Sequence, residues 1–314
     1  MRAIILGGLA ACALCAQLWA GVIEVTHHSD ALGRERNLSV YVPPGYDGSG
    51  AYPTVYLLHG YAAETNNAYW EKKYAIGKVL DELIATGRIR PFVVVMPDSS
   101  MRWKASGYTF CGSFYVNTVA GRYEDYVMED VIEYVEQHFA VSPDPARRAV
   151  MGHSMGGLGA LHYAMKYGKS RFGAVVAHSG PTLYPLIKHL QPLFNRAFTD
   201  GHVVSKLVIK VFGLLGISPA EVVDFPGEDA LEAEFSAQRS GGPEVRWDNL
   251  RGLYVYLSCG DKDEKHMYPL NKLFVGQLSK RRIDHTFVSY EGDHDNRLLE
   301  MIKDSFTRLG AALP

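Results

Sequence analysis

The sequence predicts an α/β fold, a mainly parallel sheet covered by helices on both faces. Short, nearly continuous apolar runs recur at residues 54–58, 91–97 and 253–259, the mark of strands buried on both sides. Longer stretches of helical periodicity separate them, giving the alternation that builds parallel sheets. The third observation is one stretch, Ala149-Val150-Met151-Gly152-His153-Ser154-Met155-Gly156-Gly157, followed by a helix-forming run over 158–167. It reads as strand, sharp turn and helix around a G-x-S-x-G pattern.

The elements follow in order. Residues 22–27 and 36–42 read as two early strands, ended by the turn residues of 43–50. The buried strand 54–58 leads into His59-Gly60-Tyr61, and 62–74 reads as a loop rich in polar and aromatic residues. A helix covers 76–86, with Val79, Leu80, Leu83 and Ile84 on one face. After the strand 91–98, residues 99–121 read as a long irregular segment, and long loops in compact domains are usually functional. Residues 123–139 are expected to be helical, with acidic residues toward the N-terminal half as the helix dipole prefers. A strand over 146–151 delivers Ser154, and another over 173–177 follows. From 182 to 252 the strand–helix rhythm breaks. Apolar helical stretches at 186–198 and 202–215 and a helix opening at Ser218 suggest a helical cap insertion over the site. The sheet resumes at 253–259, then come a helix (269–281), a strand (286–290) and a closing helix (296–309).

With 314 residues, 47% hydrophobic and 21% charged, the chain has globular composition and enough length for one large α/β domain. A net charge of −2 gives no electrostatic reason to expect a nucleic-acid partner. The body of the chain carries no apolar stretch long enough to span a bilayer. The N-terminus reads differently. Arg2, an apolar run over 3–16 and Ala20-Gly21 form a signal-peptide pattern over residues 1–20, directing export to the periplasm or beyond. Leu9-Ala10-Ala11-Cys12 offers an alternative, a lipobox leaving a lipidated Cys12. Either way residues 21–314 form a single catalytic domain with 182–252 inserted. Cys111 and Cys259 remain in the mature chain; an oxidising compartment would let them pair, and two partly buried thiols are the default expectation.

A serine on a strand-to-helix turn needs a base and an orienting acid, because its hydroxyl is un-ionised at neutral pH. In such a sheet the partners come from loops after later strands, in the order serine, acid, histidine. His294, in Gly292-Asp293-His294, stands between the last strand and the last helix. Asp261 and Asp263 both follow the preceding strand. Asp263 is preferred, since a turn must be completed before a carboxylate faces back toward the histidine. The amide of Met155 sits at a helix N-terminus, and the one of Tyr61 follows a glycine that permits close approach. Together they form the expected oxyanion hole.

Several stretches carry a family resemblance: Leu57-Leu58-His59-Gly60 with Trp70, Met96-Pro97-Asp98, Phe114-Tyr115-Val116-Asn117, Tyr123-Glu124-Asp125-Tyr126, Gly152-His153-Ser154-Met155-Gly156-Gly157 and Gly292-Asp293-His294. They resemble the putative-esterase family of α/β-hydrolases, which includes esterase D, feruloyl and acetylxylan esterases and secreted mycolyltransferases. The resemblance spans about 22–309. It implies a serine triad without metal or organic cofactor, with the acid three residues after Gly260, hence Asp263, and Tyr61 as the second oxyanion donor. The substrate expected is a small-molecule or carbohydrate-linked ester. An acyltransferase working through the same acyl-enzyme and a non-catalytic binding protein on the same fold are the alternatives. Phe114, where many members carry Trp, and the 182–252 segment depart from the family pattern.

Overall fold

The computed structural model describes residues 20–61, 67–105, 108–118, 120–180, 182, 246–265 and 267–314. Its centre is an eight-stranded sheet in the order β1-β2-β4-β3-β9-β10-β11-β12. These strands are β1 (Gly21–Ser29), β2 (Arg34–Val42), β3 (Thr54–Leu58), β4 (Val93–Pro97), β9 (Arg148–His153), β10 (Ala174–His178), β11 (Tyr254–Gly260) and β12 (Thr286–Tyr290). The hairpin β1–β2 is antiparallel, as is β2 against β4. From β4 across to β12 every neighbouring pair is parallel. The carboxyl ends of those strands therefore open on one edge, where ligands bind in such sheets.

The apolar runs are continuous because both faces are covered. In β3, Val55 and Leu57 join one buried cluster while Tyr56 and Leu58 join the other. The period-2 geometry of a strand thus feeds two cores at once. One face carries α1 (Tyr69–Tyr74), α2 (Ile76–Ala85) and the closing helix of the chain. In α2, Ile76, Val79, Leu80 and Leu83 are buried, a single stripe at helical spacing. The other face carries α3 (Tyr123–Asp125), continued by a π-helical turn Tyr126–Val131 and by α4 (Ile132–His138), then α5 (Met155–Tyr167) and α6 (Met267–Lys280). The closing helix, α7 (Leu298–Ala312), buries Leu298, Ile302, Phe306 and Leu309 against the first face.

Three expectations are corrected. Residues 69–74 form α1 rather than a loop; their aromatic run has no helical period, yet Trp70 is fully buried and anchors the turn. The segment 99–121 is not irregular throughout. It holds two short antiparallel hairpins, β5 (Ser100–Ala105) with β6 (Tyr108–Gly112) and β7 (Asn117–Thr118) with β8 (Gly121–Arg122). The helix expected over 123–139 contains the π-helical turn, a widening that sequence period does not signal.

The leader at 1–19 and the expected cap helices at 186–198, 202–215 and after Ser218 lie outside the described residues. The chain leaves for that insertion at Gly180, beside Gly157 of α5. It returns at the other end of the same helix, where Arg246 N donates to Met165 O at 3.1 Å and Asn249 Nδ2 to Met165 O at 2.7 Å. Among the described residues no helix is long and apolar enough to cross a membrane. Cys111 is half-buried and Cys259 buried, and no disulfide joins them.

Candidate active site

Ser154 lies between the last residue of β9 and the first of α5, with φ 54° and ψ −120°. Few residues other than glycine adopt such a backbone, and it holds only where the surroundings dictate it. Here Ser154 N donates to His178 O at 2.9 Å and Leu158 N to Ser154 O at 3.1 Å. The two glycines of the motif permit this turn. A side chain on Gly152 would strike the Gly156 carbonyl, and one on Gly156 would strike the carbonyl of Leu58. Met155 begins α5, so its amide is one of the helix donors left without an intrahelical acceptor, at the positive end of the dipole.

The acid and histidine loops are pressed together at the ends of β11 and β12. Gly260 abuts the Gly292 carbonyl so closely that a side chain would not fit. Lys262 N donates to Gly292 O at 2.9 Å. Asp261 is exposed and accepts from Gly292 N at 3.2 Å. Asp263 is buried instead. Its Oδ2 accepts from His294 Nδ1 at 2.7 Å and its Oδ1 from Lys265 N at 2.8 Å. A carboxylate only accepts, so Nδ1 carries the proton and Nε2 is left with its lone pair. Cys259 Sγ stands 3.8 Å from the same Oδ2; burial and the neighbouring carboxylate push its pKa up, so it remains a thiol.

His294 is held by its backbone as well. Its amide donates to Glu264 Oε2 at 3.2 Å, and its carbonyl accepts from His153 Nε2 at 3.1 Å. The rings of His153 and His294 are 4.7 Å apart. Burial first, then the charge that His294 can carry, holds the pKa of His153 well below the usual histidine value, so it stays neutral. Ser154 Oγ and His294 Nε2 make no hydrogen bond to each other among the described residues.

Gly60, after β3, completes the surround. A side chain there would lie 3.5 Å from Ser154 Cβ and 3.6 Å from His153 Nδ1, so the Gly60–Tyr61 peptide flanks the serine. The Tyr61 hydroxyl accepts from Cys111 N at 3.2 Å, and its ring lies 6.0 Å from that of Phe114. The predicted residues Ser154, Asp263, His294, Tyr61 and Met155 thus come together at one sheet edge. His153 and Glu264 had no role in the sequence reading. Both stand beside residues that the motifs single out, and only the fold shows that they grip the His294 main chain. No group of His, Cys, Asp and Glu able to hold a metal occurs among the described residues.

This sheet order, with a strained serine between a central strand and its helix, defines an α/β-hydrolase fold. The chain belongs to the putative esterase family, whose model matches residues 29–299. It is 30% identical over 144 residues to an endo-1,4-β-xylanase/feruloyl esterase of Xylanibacter ruminicola, covering 43% of this chain and 18% of that protein. An esterase of Mycobacterium tuberculosis is 31% identical over 154 residues, covering 49% of this chain and 31% of the relative. The chain therefore spans under a third of the length of these curated relatives. Among solved structures, a ferulic acid esterase superimposes with a TM-score of 0.66 at 22% identity, covering 93% of this chain and 98% of the other.

Proposed function

We propose that the protein is a serine carboxylic-ester hydrolase working through an acyl-enzyme, with Ser154 as nucleophile, His294 as base and Asp263 as the orienting acid. The observation that carries this reading is the buried 2.7 Å Asp263–His294 bond beside a serine held at φ 54°. His294 Nε2 takes the Ser154 proton as Oγ attacks the ester carbonyl, and the C–O bond to the alcohol breaks as Nε2 returns that proton to it. Water, deprotonated by the same nitrogen, then releases the acid and restores Ser154. The Tyr61 and Met155 amides donate to the tetrahedral oxyanion. The Ser154–His294 hydrogen bond forms as substrate seats, since catalytic hydrogen bonds are often long in unliganded sites and tighten in the complex.

Esters of aromatic acids on carbohydrate are the first substrates to test, because one relative is an endo-1,4-β-xylanase/feruloyl esterase and the structural neighbour is a ferulic acid esterase. The proposed arrangement is one catalytic domain over 21–314, with the 182–252 insertion taken to shape the substrate pocket. Export through the leader at 1–20, ending in cleavage near Gly21 or in lipidation of Cys12, completes the reading. The deciding experiment is a panel of p-nitrophenyl, feruloyl and acetyl-sugar esters with the parent chain and Ser154→Ala. Turnover by the parent and its loss in Ser154→Ala, with an unchanged circular dichroism spectrum, is the expected result. Turnover surviving in Ser154→Ala removes the serine from the mechanism. The mass of the exported chain separates the two N-termini.

A further inference from the structure

Two consecutive carbonyls just before Tyr61 are each held by a buried side chain. The Tyr115 hydroxyl donates to His59 O at 2.9 Å, and His59 Nδ1 donates to Gly60 O at 2.7 Å. The His59 tautomer is fixed from its other side, because Ser99 N donates to Nε2 at 3.0 Å. Tyr115, His59 and Ser99 are all buried. Gly60 O and Tyr61 N–H belong to one peptide unit. In a trans peptide the N–H points opposite to the C=O, and the described residues contain no cis bond. Fixing the Gly60 carbonyl therefore fixes the direction of the Tyr61 amide.

The fold goes to some length to put the Tyr115 phenol there. Phe114 and Tyr115 stand at φ 53° and 60°, successive left-handed residues of a kind that bulky side chains rarely adopt. Strain of this sort persists where neighbours over-determine it, and it clusters at functional sites. The ring fits only because residue 159 of α5 is glycine, where a side chain would collide with it. Burial raises the Tyr115 pKa well above the usual phenol value, so the hydroxyl keeps its proton. Burial lowers the His59 pKa to about 4, so the imidazole is neutral at pH 7.

We propose that Tyr115 and His59 are positioning residues of the oxyanion site, holding the His59 and Gly60 carbonyls so that the Tyr61 amide faces the ester carbonyl oxygen that becomes the oxyanion when Ser154 attacks. The proposal rests on the reading of Tyr61 as an oxyanion donor in an ester hydrolase. Loss of a whole oxyanion donor costs roughly 10²–10³ in kcat, and a misaimed one loses part of that.

The test measures p-nitrophenyl acetate hydrolysis by the full chain, together with inhibition by a trifluoromethyl ketone, whose adduct mimics the tetrahedral oxyanion. Tyr115→Phe, which deletes one oxygen, is expected to lower kcat roughly 10- to 100-fold. KM should stay nearly constant, and ketone affinity should weaken by a similar factor. Tyr163→Phe removes an equally buried hydroxyl that has no hydrogen-bond partner among the described residues, and it should leave kcat unchanged. His59→Asn keeps a donor near the Nδ1 position and should retain most activity; His59→Gln carries its donor further out and should not. Wild-type kcat and ketone affinity in Tyr115→Phe, with Ser154→Ala inactive, would overturn the positioning role and leave the esterase reading standing. An active Ser154→Ala would instead sink the esterase reading itself. Should Tyr115→Phe fail to fold, the His59 pair decides: equal loss in both variants overturns the proposal.

Discussion

Asp263→Asn tests the hydrogen-bond directions of the site. In the structure the two carboxylate oxygens face two donors, Lys265 N at 2.8 Å and His294 Nδ1 at 2.7 Å. An asparagine has one acceptor and one donor end. The backbone amide of Lys265 cannot change its role, so the asparagine oxygen turns toward it and the NH₂ turns toward His294. Nδ1 must then accept, which moves the imidazole proton to Nε2 and removes the lone pair that would take the Ser154 proton. The flipped amide restores the tautomer but sets NH₂ against the Lys265 N–H, leaving a buried donor unsatisfied at a cost of about 1–3 kcal/mol. That preference alone makes the productive form roughly 5- to 150-fold rarer. The lost carboxylate also no longer stabilises the imidazolium, and together the two effects predict a kcat loss on the order of 10³–10⁴. Asp261→Asn should change kcat by less than about threefold, because Asp261 is exposed and the asparagine oxygen can still accept from the Gly292 amide. Steady-state hydrolysis of p-nitrophenyl acetate at pH 7 decides it. A loss under tenfold in Asp263→Asn, or a larger loss in Asp261→Asn, refutes the assignment of the acid.

Gly152→Ala and Gly156→Ala should each destabilise by more than about 2 kcal/mol, since the new methyl would overlap a backbone carbonyl that cannot move aside; urea midpoints check this, and a near-neutral change in either would mean the turn is looser than described. Stability should fall as the medium is acidified from pH 7 to pH 5. Burial depresses the folded pKa of His59 to about 4 and of His178 to about 3, against 6.5 unfolded, and lowers that of His153 as well. The unfolded chain therefore takes up protons first as pH drops below 6.5. Each such histidine removes up to about 1.4 kcal/mol per pH unit down to its folded pKa; a urea midpoint flat over that range would contradict their neutral burial. Cys259 should resist thiol reagents in the folded chain, its thiolate disfavoured by burial and by Asp263; rapid modification before unfolding would show otherwise.

Much of this was legible because burial on both faces leaves a coarse mark on sequence. The strands 54–58 and 286–290 match β3 and β12 residue for residue, and the helix expected over 76–86 is α2. The Ser154 turn was readable from two glycines, since close backbone approach demands that residue type. What escaped was set by contact rather than by period. The helix α1 forms around the buried Trp70, and the hairpins of 99–121 pair over short range with no strong alternation. Nothing in Phe114-Tyr115 announces left-handed backbone, because a bulky aromatic is a poor candidate for it until the cavity over Gly159 is known. Asp261 and Asp263 could be ranked by turn logic, but only the fold shows one facing the Gly292 amide and the other His294.

The deepest reason lies in how far His294 must travel. Ser154 follows β9, while His294 follows β12, three strands away and about 14 Å at ordinary strand spacing. A loop that left β12 straight upward would put the imidazole over the wrong strand. The observed loop instead folds back across the ends of β11 and β10. It is gripped at Gly292 by the Gly260 backbone, at the His294 amide by Glu264 and at the His294 carbonyl by His153. The ion pair Lys73–Asp295 at 3.4 Å ties the same loop to α1, though both side chains are half exposed and the pair adds little to stability. The buried grips, Gly260 against Gly292 and His153 on the His294 carbonyl, are the ones that matter. Because His153 adjoins Ser154 in the chain, its bond to the His294 carbonyl couples the Ser154 turn directly to the His294 loop. His153→Phe, which keeps an aromatic ring and deletes the donor, should therefore free the His294 backbone without disturbing Asp263. Its signature would be a kcat loss with little change in melting temperature, whereas a variant that merely unpacked the core would lose both.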